Sequence, residues 1–296
     1  MKPFSLLTVI LLITAVPRFS GAEARVDSNV VFGMYSGLAL LMDVHYPEQP
    51  NGYGIIHISG SAWTKSLAYN ATPLTQQRHV ELEAQPLVEA GYTVFTVNHR
   101  ATPRFQYPAP LEDVQRAVRF VRYHAADYGI DSERIGAMGG SSGGHLVSML
   151  GVLDGHGDPS DPDPVNQVSA RVQCVVGRAV PADLSAAQSE PLLVLLLGAR
   201  NSDNPESEEA RRYRAASPVN YVSADDPPFL FLHGDADEVV PFEQAELFAG
   251  LLADVGVAAE IVRMPGGGHG PSFNGAQNPP DHKAAMISWF DQHLKK

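Results

Sequence analysis

Along the chain, short apolar runs alternate with stretches in which apolar residues recur every three or four positions. The runs fall at 53–59, 92–98, 134–139, 172–180, 229–234 and 258–264, each bounded by turn-forming residues as buried strands are. Between two of them, Leu111, Val114, Val118, Val121, Ala125 and Tyr128 form the stripe of a helix that packs one face on a sheet. Further helices are predicted over 241–256 and 281–294. Nearer the start, 29–34 and 38–46 read as two strands joined at Ser36-Gly37, an antiparallel opening to the sheet. Strands that then alternate with helices predict an α/β domain with a mostly parallel sheet and helices on both faces. Residues 184–227 look like a modest insertion between strands, either a small lid or a surface helix.

The first residues do not belong to this pattern. Lys2, the apolar run that follows it and the small residues ending at Ala22-Glu23-Ala24 have the order of a secretory signal peptide. The apolar run is short against the roughly 20 residues a membrane span requires. Residues 1–24 are therefore expected to be removed, leaving 25–296 as one domain, secreted or periplasmic and without stable membrane association. The formal net charge of −12 makes nucleic acid an improbable partner, since phosphate would be repelled. Cys174 is the single cysteine in the sequence; it lies in an apolar run and is read as a buried structural thiol.

In sheets of this kind ligands bind beyond the carboxyl ends of the strands, so polar groups just after the apolar runs come first. Three such ends carry chemistry. After 134–139 comes Gly139-Gly140-Ser141-Ser142-Gly143, a G-x-S-x-G pattern between strand and helix, the setting of a strained turn that makes a serine protrude. The pattern also fits one residue later, on Ser142. Ser141 is favoured because Ser142 would then supply the N–H that follows the nucleophile. After 229–234, Asp235 and Asp237 compete, with Glu238 behind them, to orient an imidazole. After 258–264, His269 sits in a glycine-rich loop suited to a general base.

These segments resemble those of the α/β-hydrolase superfamily, and within it the carboxylesterases of the hormone-sensitive-lipase and feruloyl-esterase-like groups. "GGSSGGHL" resembles their G-x-S-A-G-G-H, which selects Ser141. "HGDADEVVP" resembles H-G-x-x-D-x-x-V-P, which selects Asp237, and "GGGHG" resembles the loop that presents the histidine, here His269. The resemblance implies the α/β-hydrolase fold, a Ser141–Asp237–His269 triad, a small-molecule ester as substrate and no metal or organic cofactor. Where the family carries H-G-G-G-W this chain reads Ser59-Gly60-Ser61-Ala62-Trp63. The implied oxyanion donors are the backbone N–H groups of Ser61, Ala62 and Ser142. The main expectation is a serine esterase of short-chain esters. A carbohydrate esterase, a serine peptidase and a non-catalytic binding protein are alternatives on the same fold.

Overall fold

The computed structural model describes residues 25–187 and 191–295, so the expected signal segment lies outside the described residues. Eight strands form one sheet: β1 (Arg25–Tyr35), β2 (Leu38–Tyr46), β3 (Gly54–Ile58), β4 (Thr93–Val97), β5 (Ile135–Gly140), β6 (Val175–Arg178), β7 (Phe229–Gly234) and β8 (Ala259–Met264). Their order is β1-β2-β4-β3-β5-β6-β7-β8. β1 and β2 form an antiparallel hairpin, and β2 runs antiparallel to β4. Every later pairing is parallel. Ser36 and Gly37 both have left-handed φ, as the tight type I′ turn of a two-residue hairpin demands.

Strands β3 to β7 are buried along their whole lengths, which is why they read as continuous apolar runs rather than alternating ones. Helices cover both faces. α1 (Gln85–Glu89) and α7 (His282–Leu294) pack one side, where Leu87, Trp289 and Phe290 meet Ile55, Val94 and Leu230. On the other side lie α2 (Ala109–Tyr123), α3 (Ser142–Val152) and α6 (Glu243–Asp254), with Val114, Leu146 and Phe248 facing Ile56, Phe95 and Phe231. The insertion forms α4 (Pro191–Leu197) and α5 (Glu208–Ala215).

Two boundaries differ from the sequence pattern for physical reasons. The apolar stripe continues to Tyr128 although α2 ends at Tyr123. Residues 124–129 turn, yet Ala125 stays buried and the Tyr128 ring packs edge-on against Phe95, so the apolar period outlasts the helix. The run 172–180 is strand only over 175–178, because Ala179 takes a left-handed φ that ends the ladder.

Candidate active site

Ser141 occupies the turn between β5 and α3 with φ 53° and ψ −123°, a backbone conformation that costs a non-glycine residue on the order of 1–3 kcal/mol. Its neighbours explain how the turn is held. The Ser141 N–H donates to the Arg178 carbonyl at 2.7 Å, and its own carbonyl accepts from the His145 N–H at 2.9 Å. A Cβ on Gly143 would stand 2.0 Å from the Ile58 carbonyl oxygen, and one on Gly140 would stand 2.0 Å from the Arg178 guanidinium. The glycines around the serine are thus required by close approach of β3 and of a buried arginine.

The ends of β7 and β8 bring two further side chains to this turn. His269 Nε2 lies 3.0 Å from Ser141 Oγ, and His269 Nδ1 lies 2.7 Å from Asp237 Oδ2. An ionised carboxylate can only accept, so Nδ1 carries the proton and Nε2 presents its lone pair to the serine hydroxyl. The other oxygen, Asp237 Oδ1, accepts from the N–H groups of Val239 and Val240 at 2.9 Å each. Burial pushes the Asp237 carboxyl up, but the hydrogen bonds from His269 and from these amides outweigh it and hold it below its usual range. Asp235 is engaged elsewhere: it accepts from Arg263 Nε at 2.8 Å and from the Gly266 N–H at 2.6 Å, bracing the base of the histidine loop. His233, buried beneath, donates from Nε2 to the Val240 carbonyl at 2.9 Å and fixes the loop that carries Asp237.

The loop after β3 departs from expectation at one donor. The Ser61 N–H donates to Ser142 Oγ at 2.8 Å, so it is not free to meet an oxyanion. Ala62 and Trp63 both have left-handed φ, and the Ala62 N–H has no hydrogen-bond partner among the described residues. The Ser142 N–H begins α3, where the first-turn amides lack intrahelical partners. Ala62 and Ser142 therefore remain as donors, while the Ser142 hydroxyl clamps the loop. Ser142→Ala leaves the half-buried Ser61 amide without its partner, a loss of about 1 kcal/mol that loosens the loop. We expect about a tenfold fall in kcat on a short ester with little change in KM, read by steady-state kinetics.

Trp63 anchors the other end of this loop. Its Nε1–H donates to His145 Nδ1 at 3.1 Å, and His145 Nε2 donates to the Ala216 carbonyl at 2.6 Å. With one nitrogen accepting and the other donating, the imidazole is neutral, and burial pushes its pKa down to about 4. A depressed value means that the unfolded chain takes up protons before the native one does. The stability is complete above the ordinary histidine value of 6.5 and is lost as pH falls toward about 4. His145 should account for roughly 3 kcal/mol of that loss, at 1.36 kcal/mol per pKa unit. Thermal melts between pH 7 and pH 4 check this, with His145→Gln expected to flatten the slope.

One buried group was not legible in the sequence. Glu83, in the π-helical turn Val80–Ala84, accepts from Arg178 Nε at 2.5 Å and lies 3.1 Å from His57 Nε2 and 3.4 Å from His79 Nδ1. Burial raises its carboxyl, but the Arg178 charge and the imidazole hydrogen bonds take it well below the usual carboxylate range. Arg178 in turn lies against Gly140, so this ion pair supports the serine turn from below.

Above Ser141 opens a cavity of about 420 Å³, walled by Ala62 and Trp63 on one side and by Leu184, Leu193 and Val240 on the other. Leu184, Ala186, Leu192 and Leu193 of the insertion thus border the space above the serine. A protruding serine, an imidazole within reach, a buried carboxylate and free amides form an arrangement able to add a hydroxyl to a carbonyl. The family described as BD-FAE matches residues 42–252. The chain belongs to the BD-FAE family. Ser141 and Asp237 fall within the BD-FAE match, and His269 lies beyond its end.

Curated relatives include the probable carboxylic ester hydrolase LipM of Mycobacterium tuberculosis, 33% identical over 236 residues that cover 77% of this chain and 52% of that protein. Esterase LipQ of the same organism is 30% identical over 223 residues, 73% of this chain and 49% of that protein. The chain spans about half the length of these curated relatives. Among solved structures, a truncated form of a carbohydrate esterase from gut microbiota superposes with a TM-score of 0.75 at 29% identity, covering 94% of this chain and 99% of that one. An acetyl ester-xyloside bifunctional hydrolase from Caldicellulosiruptor lactoaceticus gives 0.75 at 27% identity, covering 92% and 98%. The sheet order and the helices on both faces are thus those of α/β-hydrolase esterases.

Proposed function

We propose that this BD-FAE member is a serine carboxylesterase that hydrolyses esters of small or short-chain acids. The observation that carries the reading is the continuous chain of contacts from Asp237 through His269 to Ser141 Oγ. His269 Nε2 takes the hydroxyl proton as Ser141 Oγ attacks the ester carbonyl, and Asp237 holds the tautomer and stabilises the imidazolium that forms. The N–H groups of Ala62 and Ser142 meet the developing oxyanion. His269 returns the proton to the departing alcohol, leaving an acyl-enzyme, and water repeats the sequence to release the acid. A cavity of about 420 Å³ with mainly apolar walls suits a short acyl group.

The names of the solved neighbours favour a second, narrower reading, in which the alcohol is a sugar hydroxyl and the acid is acetyl. The signal-like segment is in keeping with a substrate outside the cell, and we place the mature protein in the periplasm or medium. Sequencing of the exported protein from its first residue, expected near Arg25, checks that placement. The activity is tested by hydrolysis of p-nitrophenyl esters from acetate to decanoate beside acetylated xylo-oligosaccharides. Turnover that falls with chain length supports the esterase reading, and faster turnover of the oligosaccharides supports the narrower one. Inertness toward all of them would overturn both.

A further inference from the structure

A second cavity, of about 440 Å³, opens at the same carboxyl edge of the sheet, above β2 and β4. It is built from the start of β2, the segment after β4 and the loop that continues from Trp63. Lys65 and Ser66 also line a smaller cavity of about 320 Å³ that reaches Gly60 and Ser61, so the two spaces adjoin along the oxyanion loop. β4 is separated from β5 by β3 alone, which at about 4.8 Å per strand puts this cavity roughly 10 Å to the side of the strand bearing Ser141.

The polar groups in its wall are unusual for so acidic a chain. Four cationic or basic residues line it, Lys65, His99, Arg100 and Arg104, and no carboxylate does. Arg100 is already engaged, donating to Asp113 and Glu112. Lys65 has no ion-pair or side-chain hydrogen-bond partner among the described residues, although it is half-buried and desolvation draws its ammonium below its usual range. His99 is buried, and its Nδ1 must donate to the Arg100 carbonyl at 2.8 Å because a carbonyl only accepts. Its Nε2 is therefore a lone-pair acceptor, and it is buried without a donor. Lys65, a positive charge lacking an anion, and His99, whose buried Nε2 lacks a donor, both line the cavity beside the apolar Leu38, Leu40 and Phe105.

We propose that this cavity is a subsite for a hydroxy-carboxylate, a sugar acid whose carboxylate pairs with Lys65, whose hydroxyl donates to His99 Nε2 and whose C–H face lies on the apolar residues. Its use as the subsite for the alcohol portion of an ester rests on the esterase reading, whereas the binding itself does not. A carboxylate without hydroxyls, or a sugar without a charge, satisfies half of the wall.

Titration calorimetry of the full chain with D-glucuronate, glucose and benzoate tests the assignment. Glucuronate is expected to bind with a Kd on the order of 1 mM, with glucose and benzoate at least about tenfold weaker. Lys65→Met should weaken glucuronate about tenfold or more and leave the thermal unfolding transition unchanged. Glucuronate binding no tighter than glucose, or undiminished in Lys65→Met, would overturn the subsite. If glucuronate binds as expected in a chain inert toward every ester, the binding site stands and the esterase reading falls.

Discussion

Ser141→Ala is expected to lower kcat/KM on p-nitrophenyl acetate by about 10⁴-fold or more, the scale on which loss of a triad nucleophile is felt. The magnitude follows from where the serine stands. Its Oγ is 3.0 Å from His269 Nε2, and among the described residues no other hydroxyl hydrogen-bonds that nitrogen. Alanine can occupy the same strained turn with the same backbone bonds, so the fold should persist and the melting temperature should change little. The contrast with Ser142→Ala, expected to cost about tenfold, decides the register. Adjacent serines with effects three orders of magnitude apart would match one nucleophile and one clamp. Comparable losses would mean that neither is the nucleophile, and a larger loss at Ser142 would reverse the assignment. Burst kinetics with a p-nitrophenyl ester supply the second readout: an acyl-enzyme at Ser141 requires the burst to vanish in the alanine variant.

Arg178→Met should be the most destabilising single change away from the chemistry. It removes the guanidinium from Glu83 and leaves a carboxylate that is 4% exposed facing only two imidazoles. Breaking a buried pair in this way costs on the order of 3–5 kcal/mol. Urea unfolding at neutral pH measures it. The pH dependence gives a sharper test. In the parent, the depressed Glu83 carboxyl contributes stability that is present above the ordinary carboxylate range and lost as pH falls through and below it. Without Arg178, burial dominates and raises the carboxyl, so the variant should regain part of its deficit on acidification from neutral pH toward pH 5. Glu83→Gln in the Arg178→Met background should abolish that recovery. A variant whose stability tracks the parent at every pH would mean that the pair contributes nothing net.

The strands and the principal helices were legible because apolar period and turn chemistry agree there, and the three strand ends could be read for the same reason. Ser141, Asp237 and His269 come together at one turn, while Asp235, which composition alone could not separate from Asp237, braces Arg263 and Gly266. The capture of the Ser61 amide was not legible, since nothing in Ser61 or Ser142 alone says that residues eighty-one positions apart share a hydrogen bond. The Glu83 cluster escaped for a related reason. Its members come from β3, a π-helical turn and β6, and a five-residue π turn followed by a five-residue helix gives too short a period to be recognised. Arg178 at the end of an apolar run was the available signal: a charged residue closing a buried strand must find a partner.

The support beneath Gly140 has a kinetic side as well. Glu83 and Arg178 are ninety-five residues apart, and the two meet where β3, β5 and β6 lie side by side in the sheet. Ordering of so distant a contact follows, rather than nucleates, the assembly of local helices. A refolding chain should therefore recover its helical signal before it recovers its hydrolytic rate, the nucleophile's turn being among the last parts of the molecule to acquire its shape.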